Sequence, residues 1–154
     1  MFKHLLIPTD GSKLSEAAIR AGINLAREND AKVTALYVMP DYRAIIYGAD
    51  ALLTYNSAEF ERSMNSKADT ALQFVDQIAR PEGVPCEFVR IASSSVYQTI
   101  VQQAQERHCD LICMASHGRK GISGILLGSE TQRVLTHTHI PVLVHRPEVA
   151  SETI

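Results

Sequence analysis

Apolar and polar positions along the chain fall into alternating short strand-like runs and longer helix-like periods. Lys3 to Ile7 is a brief apolar run closed by the turn Pro8-Thr9-Asp10-Gly11-Ser12, which reads as a strand and its exit. Leu14, Ala18, Ala21, Gly22 and Leu25 then recur at helical spacing up to Asn29, with small residues on the face that must approach a sheet. Lys32 to Val38 is β-branched and apolar, and Met39-Pro40-Asp41 is expected to end it. From 40 to 57 no period is visible, so this stretch is either a lid over a ligand or a surface insertion. Phe60, Met64, Ala68, Ala71, Leu72, Val75 and Ile78 define the best-marked helix, Ser57 to Arg80, stopped by Pro81-Glu82-Gly83.

The second half repeats the scheme. Cys86 to Ile91 mixes polar and apolar residues and suits a strand at a sheet edge. Ser95-Val96-Tyr97-Gln98 has capping-box spacing and opens a helix carrying Ile100, Val101 and Ala104 to about His108. Leu111 to Ala115 is apolar without alternation, the pattern of a strand buried on both faces. After a glycine-rich loop, Ser129-Glu130-Thr131-Gln132 reads as a second capping box, with Ser129 as the cap. Thr136 to His139 form a turn, and Ile140 to His145 a last strand in which Pro141 belongs at the first residue or on an edge. The order predicts an α/β domain spanning 1–154: a five-stranded parallel sheet between helix layers.

Candidate chemistry gathers where strand, glycine loop and helix meet. Free N–H groups and the positive end of a helix dipole converge there, which suits a phosphate. No glycine is followed by lysine, so a Walker-type P-loop is absent, and no G-x-G-x-x-G follows the first strand. What remains is Gly118, nine residues, then Gly128-Ser129. Asp10 falls at the carboxyl end of the first strand, where ligands bind in open α/β sheets, although an aspartate there equally serves a turn or a helix cap. Arg119 and Lys120 are either phosphate partners or a solvated patch, and His117 is either a phosphate contact or a loop-shaping hydrogen bonder.

Three segments together resemble the universal stress protein family: Leu5 to Ser12, Ser116 to Arg119 through Leu127-Gly128-Ser129, and Val134-Leu135 through Pro141 to Val144. Nucleotide-binding members share G-x-x-G-x9-G-[ST]; here Gly118, Gly128 and Ser129 match, and Ala115 stands at the first glycine. The resemblance implies a Rossmann-like architecture of the adenine nucleotide alpha hydrolase-like (HUP) type and ATP, with Mg2+, as cofactor. Asp10 would contact the ribose, the backbone of Val38 the adenine, and Gly118, Gly128 and Ser129 the phosphates. Pro8, Thr9, Met114, Ala115, His117, Arg119, Glu130 and Thr131 would complete that site. It further implies a homodimer through Val142, Leu143 and Val144, and a nucleotide-dependent regulatory role with little or no hydrolysis. A dimeric interaction module without nucleotide is the alternative that Ala115 favours.

Composition narrows the classes without choosing among them. Fifteen Lys and Arg against seventeen Asp and Glu give a net charge of −2, so no global field recommends nucleic acid or an anionic membrane as partner. There is no membrane-length apolar run, and the start runs straight into a strand, so the expectation is a soluble cytoplasmic protein. Cys86, Cys109 and Cys113 lack C-x-x-C spacing and suit reduced core thiols. His137-Thr138-His139 has no acidic or thiol partner nearby in sequence, which argues against a metal site. Asp10, His117 and Glu130 are the groups eligible for ATP hydrolysis, and they form no diagnostic pair.

Overall fold

The computed structural model describes residues 1–41, 57–117 and 127–147. The elements run β1 (His4–Pro8), α1 (Lys13–Asn29), β2 (Lys32–Pro40), α2 (Ser57–Ala79), β3 (Cys86–Ser93), α3 (Val96–Glu106), β4 (Leu111–Ala115), α4 (Ser129–His137) and β5 (Val142–His145). All paired strands are parallel, and the sheet order is β3-β2-β1-β4-β5. The chain winds outward from β1 on one side, then crosses back to β4 on the other. The switch point, where ligands settle in such sheets, therefore lies between β1 and β4.

Strand alternation divides the core in two. Leu5 and Ile7 of β1, Val33, Ala35 and Tyr37 of β2, and Leu111 and Cys113 of β4 pack with Ile19 and Ile23 of α1 and Leu72 and Val75 of α2. Leu6, Leu36, Ile112 and Met114 point the other way, onto Ile100 and Ala104 of α3 and Val134 of α4. Helix α1 lies close on the sheet because Gly22 faces it: a Cβ there would sit 2.6 Å from Ile7 Cδ1 and 3.5 Å from Cys113 Cβ. Ser12 caps α1 by accepting from Ser15 N–H at 3.2 Å, and Asp30 ends it in the left-handed region at φ 53°.

Two expectations are corrected. Strand β2 continues through Met39 and Pro40, in register with Ala92 and Ser93 of β3. The Thr9 amide donates to Leu36 O, so even-numbered residues of β2 direct their backbone groups toward β1, and β1 ends opposite Leu36. Pro40 thus faces a side with no neighbouring strand to need its missing N–H. Neither serine heads a capping box. Ser95 and Gly128 occupy the N-cap positions of α3 and α4, with no side-chain cap hydrogen bond at either, and Ser129 is already helical. Gln132 Nε2 donates to Leu127 O at 2.9 Å rather than back to the cap.

At the amino edge the strands are clamped by side chains. Asp110 accepts from the Lys3 and His4 amides at 2.8 and 3.0 Å, and its own amide donates to His4 O. Burial raises the Asp110 carboxyl's affinity for a proton, but these amide bonds outweigh it and leave the pKa below the ordinary carboxylate value. The buried His4 Nε2 lies 2.7 Å from Thr34 Oγ1. Burial, then Lys32, lower its pKa below 6.5, against opposing pulls from the Arg107 carbonyl, Asp110 and Glu87. A depressed histidine pKa means that the unfolded chain takes up the proton first as pH falls. Stability is therefore expected to fall as pH drops from about 6.5 toward the lower folded value. Urea midpoints at pH 8.0, 6.5 and 5.5 check this: the His4→Gln variant should show a shallower decline across that window than the wild type.

Candidate functional site

The carboxyl ends of β1 and β4 carry the residues singled out above. Past Pro8, Thr9 is buried; its amide reaches Leu36 O at 2.9 Å and its hydroxyl accepts from Gly11 N–H at 3.1 Å. Gly11 has φ 79°, the left-handed conformation that favours glycine. Asp10 Oδ1 accepts from Ser12 N–H at 2.9 Å and from Ser15 Oγ at 2.7 Å, so the carboxylate is fixed to the entrance of α1. The turn role is thus real, and it holds the aspartate at the switch edge. Two strands' worth of geometry place Val38 beside it. By the alternation established at Leu36, Val38 directs its N–H and C=O toward β1's side, beyond the point where β1 ends.

On the β4 side, Ser116 is fully buried and forms the joint that closes the glycine loop. Its amide donates to His145 O at 3.0 Å, and its carbonyl accepts from Gly128 N–H at 2.6 Å and Thr131 Oγ1 at 3.3 Å. Thr131, also buried, donates to Ala115 O at 3.0 Å. The helix α4 therefore begins at the end of β4, and its first amides, those of Ser129, Glu130 and Thr131, have no intrahelical acceptor by the geometry of any helix start. Gly128 is extended at φ −68° and ψ 161°, so its lack of a side chain, rather than an unusual dihedral, distinguishes it. Gly118, Arg119, Lys120, Gly121 and Gly124 lie outside the described residues, as does the 42–56 part of the proposed lid.

Met114 and Ala115 are both buried at the end of β4. Met114 packs on the α3–α4 side, and alternation puts the Ala115 methyl with Leu111 and Cys113 on the α1 side. His117 Nδ1 lies 2.9 Å from Ser116 Oγ. Glu130 turns away: Oε2 accepts from Tyr97 N–H of α3 at 2.9 Å, and Oε1 pairs with Arg133 at 3.2 Å. A cleft of about 310 Å³ borders the same β1 turn but lies on the α1–α2 side, lined by Gly11, Glu16, Lys67, Thr70 and Phe74 among others. Among the described residues expected to meet nucleotide, Thr9 alone lines this cleft, and the start of α4 does not border it.

The thiols do not join the site. Burial pushes Cys86 and Cys113 up to about 12 and Cys109 to about 11, which leaves them protonated and unreactive. Among the described residues no group of three His, Cys, Asp or Glu could hold a metal, and no helix is long and apolar enough to cross a membrane. His137 instead lies against Tyr97, with ring centroids 4.9 Å apart. Ser116 and the two-carbonyl grip of Thr131 are what sequence reasoning missed as architecture. A small polar residue directly after an all-apolar strand was the available signal for Ser116.

The Thr131 hydroxyl has a measurable task. Thr131→Val keeps the shape but takes the hydroxyl donor from Ala115 O, while Ser116 O keeps the Gly128 amide, and should cost about 1–3 kcal/mol. A urea unfolding curve checks this.

The Universal stress protein family model matches residues 1–146. A curated relative, universal stress protein MJ0531 of Methanocaldococcus jannaschii, is 33% identical, the match covering 94% of this chain and 82% of that one. Among solved structures, hypothetical protein MJ0577 superposes with TM-score 0.81 at 25% identity, covering 97% of this chain and 99% of its own. Two further structures share the fold: a universal stress protein in complex with cAMP (TM-score 0.69, 19% identity, 94% and 97% covered) and one from Archaeoglobus fulgidus in complex with dAMP (TM-score 0.66, 18% identity, 94% and 97% covered).

Proposed function

Because this chain belongs to the universal stress protein family, we propose that it binds ATP, with Mg2+, at the β1–β4 switch point and serves as a nucleotide-dependent regulatory protein of the stress response. The observation that carries this reading is the Gly128 N–H to Ser116 O bond, which sets the start of α4 at the end of β4. Helix amides and the dipole's positive end supply a phosphate cradle there. Asp10, one strand away, takes the ribose; Val38 offers backbone groups to the adenine; Pro8, Thr9, Met114 and Ala115 form the floor. Gly118, Arg119, His117, Gly128, Ser129, Glu130 and Thr131 surround the phosphates, the last three through their amides. The two fold neighbours that hold cAMP and dAMP are adenine nucleotide complexes, which accords with the ligand class. Asp10 and Glu130 accept structural hydrogen bonds, so the site is one that holds nucleotide with little or no hydrolysis.

The alternative is a dimeric module of the same family that takes no nucleotide. Ala115, in place of a family glycine, is the observation that favours it. Ala115 is only 8% exposed, and alternation sets its methyl on the α1 side of the sheet, opposite the face on which α4 packs.

Calorimetry with ATP and magnesium separates the two. Wild type should bind; Gly128→Val and Asp10→Ala should each weaken binding by about tenfold or more, as loss of a charge-assisted or cradle contact does. Ala115→Gly should change affinity less than either. Absence of heat from the wild type would leave the dimeric module standing.

A homodimer through β5, in a cytoplasmic single-domain protein of 154 residues, completes the proposal. Strand β5 is the outer strand next to β4, and the bonds from Pro141 O and His145 O to β4 leave Val142 and Val144 with outward-facing backbone groups. Leu143 is 37% exposed there. A two-fold pairing would satisfy both edges at once. Sedimentation should show monomers for Leu143→Lys and dimers for wild type; an unchanged dimer would place the interface elsewhere.

A further inference from the structure

Helix α3 starts without a cap of its own. Ser95 makes no side-chain bond to the helix, and the amide of Tyr97, at the second helical position, is satisfied by Glu130 Oε2 from the first turn of α4. Three residues of α4 on one stripe converge on this point. Glu130 accepts from Tyr97 N–H and pairs with Arg133; the Arg133 guanidinium lies 5.8 Å from the Tyr97 ring centroid; His137 stands against the same ring, its Nδ1 2.7 Å from Arg133 O. A carboxylate aimed at a phosphate would repel it. Here the charge is placed at the positive end of α3 instead, where it is favourable.

We propose that Glu130 is a positioning residue: its side chain fastens the first turn of α4 to the start of α3, and so fixes the direction in which the amides of Ser129, Glu130 and Thr131 meet an incoming phosphate. This rests on the nucleotide reading for the identity of the ligand, and on the helix joint alone for the geometry. Thr131 secures the same turn from the sheet side through Ala115 O and Ser116 O. Between them the turn is held from two directions, and only Glu130 can be changed without touching the sheet.

The two variants Glu130→Gln and Glu130→Ala separate position from contact, since glutamine keeps an acceptor oxygen for Tyr97 N–H and alanine keeps none. Amide hydrogen exchange on the nucleotide-free full chain comes first. The Tyr97 amide should exchange about fivefold to tenfold faster in Glu130→Ala and near the wild-type rate in Glu130→Gln, the loss expected for a helix cap. With ATP and magnesium, Glu130→Ala should bind several-fold more weakly and Glu130→Gln as tightly as wild type or tighter, while adenosine, which has no phosphate, should distinguish none of the three. A wild-type exchange rate at Tyr97 in Glu130→Ala overturns the proposal. So does equal weakening of ATP binding by both variants, which would make the carboxylate a direct ligand contact. Should the wild type bind no nucleotide, the ligand reading falls by itself, and the Tyr97 rates still decide the joint.

Discussion

A carbonyl group buried at the end of a strand has to find a donor, and at Ser116 that requirement sets the architecture of the whole carboxyl edge. Water does not reach this fully buried residue, and leaving its polar groups unmatched would cost about as much as one good hydrogen bond contributes. The chain answers by bringing Gly128 back to it and by lending it the hydroxyl of Thr131. The return fixes where α4 starts, and the start of α4 fixes where unpartnered helix amides point. A helix start with free amides at the end of β4 is thus a by-product of satisfying the backbone.

The two edges of the sheet are built on opposite principles. At the amino edge, Asp110 and His4 bind strand to strand with side chains that are themselves matched by amides and by Thr34. At the carboxyl edge the strands end at different heights, β2 running past β1, so backbone groups such as those of Val38 face the switch point. A sheet sealed at one end and stepped at the other leaves its free backbone groups at the stepped end. The bipartite core, with α1 drawn close by Gly22, packs both faces of the strands that end there.

How much of this could be read from residues alone differs by range. Strand β4 was legible because five apolar residues without alternation admit few other readings, and the edge position of β3 because Glu87 and Arg90 interrupt its apolar residues. The helix of Ser57 was legible from its period, and Ser57–Ala79 differs from the expected span by one residue. What escaped was decided across the sheet. Pro40 looked like a terminator because nothing local says that β1 has already ended beside it. The serines at 95 and 129 looked like caps because the rule is local, whereas α3 is capped by Glu130, thirty-three residues away along the chain. The membership of the family and the parallel five-stranded sheet were both readable; the pinning of the loop by Ser116 and Thr131 was not, since a hydrogen bond to a distant carbonyl leaves no spacing behind.

The chemistry available at the switch point follows from the same commitments. A general base needs a lone pair that is not already engaged, and a proton path to water. Asp10 gives one oxygen to Ser12 and Ser15, Glu130 gives both of its oxygens to the α3–α4 joint, and His117 sets Nδ1 against Ser116 Oγ. Each of these bonds contributes to holding the edge in shape, and for Glu130 both oxygens are committed to it. The carboxylates of Asp10 and Glu130 thus serve the local architecture first: one fixes the entrance of α1, the other the joint between α3 and α4.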